Sequence, residues 1–293
     1  MNKTRLSPSY RLFYGFNLFC LVLLGVLCLF PVLHILAVSL SNAGAAAANQ
    51  VVLWPKGFNL QSYHLIATRD DFLRSFGISG QRVIFGVAIN VALTVLMAYP
   101  LSKPEGEFPV RRIYVWLLIF VMIFNGGMVP NFMLIKDLGL LDSIWALVLP
   151  GAVPIFNVIL MMNFIKQLPK DIEEAAFMDG ANYFQSLIRI VLPISKPVLA
   201  TITLFSFLNH WNAWFDGLIY NNSTKNYPLQ TFMYTIISSR DVTNLDQATA
   251  FSDVNGATLK AAQLFVSLLP ILLIYPFLQK YFTKGLTIGA VKG

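Results

Sequence analysis

Residues 173–193, EEAAFMDGANYFQSLIRIVLP, hold the densest set of chemistry-bearing side chains in a chain that is otherwise short of them. Asp171 and Glu174 stand three apart, the spacing of a capping box with one carboxylate at the N-cap and another at the third helical position. A short helix is therefore expected from Ile172, with Ala175 and Ala176 making one side of it small. Gly180 sits where a chain leaves a helix through a left-handed turn. Phe184, Leu187, Ile188 and Val191 then recur at i, i+3, i+4 and i+7, an apolar helical stripe that Pro193 is expected to stop. The product is two short amphipathic helices joined by a sharp turn. Their apolar side can lie on a membrane surface, pack on the protein's own helix ends, or seat in a groove of a partner protein. A partner groove would use small residues, a glycine turn and a charged rim together.

A second group lies in FSFLNHWNAWFDGLIY. On one continuous helix at 100° per residue, Asn209, Asn212, Asp216 and Tyr220 fall within about 60° of a line, with Ser206 nearby. A polar stripe inside a membrane helix must face a cavity, a neighbouring helix or the interface. Amides, a carboxylate and a phenol can hydrogen-bond a hydroxyl-rich solute, and aromatic rings offer sugar faces a platform. The asparagines can equally hold helices together, with Asp216 at the outer water boundary. Elsewhere the chemistry thins out. Cys20 and Cys28 share one apolar stretch and read as small packing residues. His34, His64 and His210 have no metal-ligand spacing, and no nucleophile stands with a base. The phosphate-binding pattern G-x-x-x-x-G-K-[ST] is missing from the sequence, so the chain does not power itself by that route.

The elements that must position these groups are membrane spans. Of 293 residues 56% are hydrophobic and 12% charged, about half the charged share of an average soluble domain. Six stretches free of Asp, Glu, Lys and Arg are each long enough to cross about 30 Å of hydrocarbon. Spans are expected at about 13–40, 80–101, 113–135, 143–166, 197–220 and 260–282, the first uncleaved and followed by an Ala-rich linker. With both termini inside, thirteen of the 21 basic residues fall on the inner side against six acids, and the other eight face eight acids. Short basic loops stay inside, so the net charge of +7 reports topology and not nucleic-acid binding. The fold class is an all-α membrane protein, one domain over 1–293, with a cytoplasmic loop (169–195) between spans 4 and 5 and an outer loop at 221–259. That outer loop is long enough to dock a partner or to cap the outer mouth. Gly126, Gly127 and Pro130 in the third span suggest a bend beside a solute pathway or a plain helix end.

The pattern Glu174-Ala175-Ala176, three residues, Gly180, nine residues, Ile190, one residue, Leu192-Pro193 resembles the signature of permease subunits of bacterial ABC importers. DGANYFQSLIRIVLPISKP resembles the carbohydrate-uptake branch, the maltose-transporter type. NGGMVPNFMLIKDLGLLDSIWALVLP and YPFLQKYFTKGLTIGAVKG are similar to permeases for complex oligosaccharides, the alginate and lipoprotein types. This resemblance implies a multi-pass subunit of the bacterial inner membrane, paired with a second permease, two cytoplasmic ATPase subunits and an extracytoplasmic solute-binding protein. It implies that Glu174, Ala175, Ala176, Asp179, Gly180, Phe184, Leu187, Ile188, Ile190, Leu192 and Pro193 couple the chain to the ATPase. ATP and magnesium would be bound by that partner, and this chain would hold no cofactor. The candidate solute pathway is Asn209, Asn212, Asp216 and Tyr220. A self-contained secondary transporter is the competing expectation; it calls for inverted repeats and ionisable groups in mid-span, of which His34 and His210 are the few on offer.

Overall fold

The computed structural model describes residues 8–238 and 256–290, with side chains described for 9–238 and 256–277. Lys3, Arg5 and Lys292, and residues 239–255 of the expected outer loop, lie outside the described residues. Among the described residues every regular element is helical. They divide into two compact units, one drawn from Met1–Arg69 and Ile236–Leu268, the other from Asp70–Thr235 and Leu269–Gly293.

In the first unit, α1 (Pro8–Ser39) is apolar on all sides and exposed over most of its length, the composition of a helix meant for lipid or another apolar surface. Its last turn is anchored by short polar contacts. Ser39 Oγ lies 2.7 Å from the Tyr63 hydroxyl, and Ser41 Oγ donates to the Ala37 carbonyl and accepts from the Lys56 amide. The expected Ala-rich linker contains a short helix, α2 (Ala43–Ala47), because Asn42 caps it by accepting from the Ala45 amide at 2.8 Å. A third helix, α3 (Gln61–Thr68), completes this stretch.

The second unit is built around α4 (Asp70–Ser102), 33 residues and about 50 Å long, ten residues longer at its start than the span expected there. Its inward face carries Ser75, Ser79, Arg82, Gly86, Asn90 and Thr94 at helical spacing, all buried. Small and polar residues suit a helix interface in lipid, where close packing and hydrogen bonds replace the hydrophobic drive. At Gly86 an added Cβ would overlap the His210 imidazole. Asn90, with its amide turned to satisfy its neighbours, donates to the Gly151 and Gly86 carbonyls and accepts from His210 Nε2 at 3.3 Å. Against this face pack α8 (Ile155–Lys166) and α12 (Lys196–Asn212). Val95, Ala98, Val158, Met161, Leu187 and Ile202 are among the core residues that close the assembly.

Three of the expected spans are broken. The third comprises α5 (Arg111–Ile123) and α6 (Met128–Asp137), bent by 111° across residues that include Gly127, whose φ is +90°. The fourth runs from α7 (Ile144–Val148) through a turn of 3₁₀ helix at Leu149–Gly151 into α8, with a 46° bend. The fifth stops at Asn212 and resumes as α13 (Phe215–Tyr220). A further helix, α14 (Leu229–Ser238), is fixed to α4 where the Leu229 amide donates to Ser79 Oγ. The chain's last described helix, α15, covers Gly256–Ala290. Among the described residues, by length and composition three helices can cross a membrane, or up to six spans if each bent pair counts as one.

Candidate functional site

The loop between α8 and α12 folds as two helices about a tight turn, but not with the expected start. Pro169, extended at φ −58° and ψ 125°, occupies the N-cap, and α9 (Lys170–Met178) begins two residues before Ile172. Asp171 and Glu173 therefore lie in the first turn, where unpaired amides favour carboxylates, and no side chain caps the helix. The expected Asp171–Glu174 capping box is thus corrected: the proline sets the entry angle earlier than the acids. A capping box does form eleven residues on. Asn182 Oδ1 accepts from the Gln185 amide at 2.8 Å and Gln185 Oε1 accepts from the Asn182 amide at 3.0 Å.

Gly180 has φ +84°, in the left-handed region. Its amide donates to the Phe177 carbonyl and the Ala181 amide to the Ala176 carbonyl, the paired bonds of a Schellman termination. The second helix is α10 (Tyr183–Ser186), continued by a π-turn at Leu187–Val191 and by α11 (Leu192–Ile194). Pro193 does not end it, a second correction. The widened turn bonds the Leu192 amide to the Leu187 carbonyl, five residues back, which relieves the usual clash of a proline ring with the preceding turn. The helix ends instead at Ile194, with Ser195 as its C-cap, and α12 follows at 84°.

The apolar stripe consequently divides. Leu187 and Val191 are buried in the core, while Phe184 and Ile188 face outward. Glu174, Ala175, Asp179, Gly180 and Pro193 are exposed, Ala176 is buried, and Ile190 and Leu192 are half-buried. Among the described residues the most exposed large hydrophobic side chain is Met178 at 88%, six residues before Phe184 at 63% with the Gly180 bend between them. Sequence reasoning passed over Met178, although its place just before the Asp–Gly step marked it as a tip residue.

It also passed over Glu173, which is the glutamate that turns inward. Its carboxylate pairs with Lys103 Nζ and accepts from the Tyr99 hydroxyl at 2.5 Å and from Ser186 Oγ at 3.1 Å. Lys103 is buried and lies over the Tyr99 ring at 4.4 Å from its centre, with Phe177 and Tyr183 each at 5.8 Å. Burial opposes the Glu173 charge, but Lys103, Tyr99 and Ser186 outweigh it and hold the carboxyl below its usual range.

The break at Ala213 and Trp214 splits the polar stripe, so the continuous line expected through Asn209, Asn212, Asp216 and Tyr220 does not form. Asn209 and Asn212 are exposed on α12. Asp216 and Tyr220, on α13, line a cleft of about 340 Å³ with Asn125, Gly127, Met128 and Asn131 from the α5–α6 bend. Tyr220 stacks on Phe132, rings 6.4 Å apart and 13° from parallel. Asp216 is gripped by Arg82 of α4 through both carboxylate oxygens, and Arg82, 3% exposed, also donates to the Ala213 carbonyl. That pair joins residues 134 apart in sequence, and only Arg82's intrusion into an apolar run hinted at it. On the same side Asp142, at φ +60°, accepts from the Asn222 amide and side chain and from the Ser223 amide. These donors lower the carboxyl's pKa, the Asn222 side chain most.

Residues 113–288 match the protein family described as the binding-protein-dependent transport system inner membrane component. The chain is 40% identical over 290 residues to the protein LplC of Bacillus subtilis, covering 98% of this chain and 97% of that one. It is 36% identical over 286 residues to the polygalacturonan/rhamnogalacturonan transport system permease protein YtcP of the same organism, covering 96% and 97%. Among solved structures it is similar to a chain of a bacterial ABC transporter involved in the import of the acidic polysaccharide alginate. There the TM-score is 0.88 at 32% identity, over 96% of this chain and 100% of that one.

Proposed function

The chain belongs to the family of inner membrane components of binding-protein-dependent transport systems, as a permease subunit of an ATP-driven sugar importer, and we propose that its solute is an acidic oligosaccharide of the uronide class. The substrate class is supported by relatives of galacturonan and alginate transport at 36% and 32% identity.

In this reading the six apolar stretches cross the membrane with both ends inside, and the α9–α10 loop projects into the cytoplasm. The observation that carries the reading is how this loop divides its side chains. Leu187 and Val191 are sunk in the core and Glu173 is pinned to Lys103, while Met178, Phe184 and Ile188 are left bare beside Glu174 and Asp179. Such a tip, apolar at the centre and charged at the rim, has the form of a helix-in-groove contact. Its groove belongs to a cytoplasmic ATPase, of which two copies serve a paired permease. The second permease shares the solute path, and a solute-binding protein delivers the sugar from outside. ATP and magnesium belong to the ATPase; this chain takes no part in hydrolysis beyond its contact.

The cleft between the α5–α6 bend and α13 is this chain's share of the path. Its amides, phenol and carboxylate are hydrogen-bonding groups for sugar hydroxyls. With Arg82 committed to Asp216, the local charge is balanced, so a uronate is not met by a bare carboxylate. Uptake by vesicles holding the assembled importer tests the substrate class. Oligogalacturonate or an alginate pentasaccharide should enter in an ATP-dependent manner in preference to maltotriose; preference for maltotriose would contradict the proposal.

A further inference from the structure

The glutamate in direct line with the loop's signature, Glu174, faces solvent, whereas its neighbour Glu173 ties its own helix to the end of α4 and to α10. Its carboxylate collects Lys103 and Tyr99 from the end of α4 and Ser186 from α10, while Glu173 itself sits on α9. Within α9 the only buried residue is Ala176. A nine-residue helix with one buried alanine gains little from apolar packing, so this polar knot is what fastens α9 to the body. Removing either partner of a buried ion pair strands the other charge, so the fastening resists being pulled apart.

Lys103 stands one residue beyond α4, and Arg82 is on that same helix about 30 Å away. There the guanidinium grips Asp216, a lining residue of the cleft. Two ion pairs about 30 Å apart thus belong to this helix, one just past its last residue and tied to the loop, the other in its first half and tied to the cleft.

We infer that the Glu173–Lys103 pair is the link that passes displacement of the loop to α4 and so to Asp216, which makes Glu173 and Lys103 positioning residues for transport. The link rests on the importer reading above. A permease without it can still dock its ATPase, because Met178, Phe184 and Glu174 are untouched, but docking no longer moves the cleft.

The test uses the whole importer in vesicles, with oligogalacturonate and an alginate pentasaccharide as probes, and reads solute imported per ATP hydrolysed. Glu173→Gln and Lys103→Met are compared with wild type and with the exchanged pair, Glu173→Lys together with Lys103→Glu. In both single variants the ATPase should still copurify and hydrolyse ATP, while the import-to-hydrolysis ratio falls on the order of tenfold, within the range of ordinary site-to-site coupling. The exchanged pair should recover part of the ratio. Import and hydrolysis falling in the same proportion, with no recovery in the exchanged pair, would overturn the link while the wild-type complex still pumps. A wild-type complex that moves neither probe at the expense of ATP would overturn the importer reading and the link together.

Discussion

At the scale of single residues, the weight falls on side chains whose partners are far away in sequence. Gly86 is required by the His210 ring, and that ring by Asn90. Gly86→Ala forces an overlap in a closed interface and should cost about 1–3 kcal/mol, seen as a lower thermal midpoint in detergent; an unchanged midpoint would show that α4 and α12 do not pack this closely. Glu173 makes a pH prediction. A carboxyl held below its usual value contributes stability above the ordinary glutamate pKa of about 4.3 and loses it as pH falls through the lowered value. Glu173→Gln should therefore melt earlier than wild type at pH 7, and the gap should close below about pH 4. A gap that stays constant across that range would mean that the carboxylate's charge is not what the pair depends on.

At the scale of elements, breaks matter more than spans. The third apolar stretch, where a bend or a helix end was expected at Gly126, Gly127 and Pro130, holds two helices at 111°, with Gly127 in a backbone conformation suited to glycine. The fifth holds two helices parted at Ala213 and Trp214, which is why a line drawn at a constant 100° per residue does not run on from Asn209 and Asn212 to Asp216 and Tyr220. Gly126, Gly127 and Pro130 were readable in advance because glycine and proline act locally. The α12–α13 break carries no such mark in NHWNAWFDG until its final residue; the Arg82 grip on the Ala213 carbonyl and on Asp216 holds it. The capping box went astray for a related reason. Asp171 and Glu174 have the right spacing, but Pro169 decides where α9 starts, while Asn182 and Gln185 had the same spacing, with Asn182 two residues before the stripe's first member. For transport these geometries separate two pairs: Tyr220→Ala and Asp216→Asn should lower uptake several-fold, on the order of the loss of one or two hydrogen bonds. Asn209→Ala, outside the cleft, should change it little. Equal losses from both ends of the former stripe would restore the continuous line.

At the scale of the whole molecule, the apolar helices and the loop signature were legible because each is a local or compositional feature. The ion pairs of Lys103 and Arg82 were not, since they join residues 103 with 173 and 82 with 216. Membrane helices hide such partners well: the same apolar alphabet serves lipid-facing and protein-facing sides, and only the period of small and polar residues, here Ser75, Ser79, Arg82, Gly86, Asn90 and Thr94, tells them apart. That period was present in the sequence and marks the inward face of α4. It is the signal that would have led from Arg82 to a partner across the bundle.

The central claim is that the α9–α10 tip seats in an ATPase partner. It is tested most directly by purifying the native complex in mild detergent from cells making the wild-type chain, Met178→Asp or Gly180→Pro, and identifying the bound proteins by mass spectrometry. The account predicts that the wild type brings down an ATPase and a second permease. Both variants should keep the permease and lose the ATPase, one by placing a charge on the apolar tip and the other by forbidding the positive φ of the turn. An ATPase retained in full by both variants, or a wild-type chain that purifies alone and transports without ATP, would contradict it.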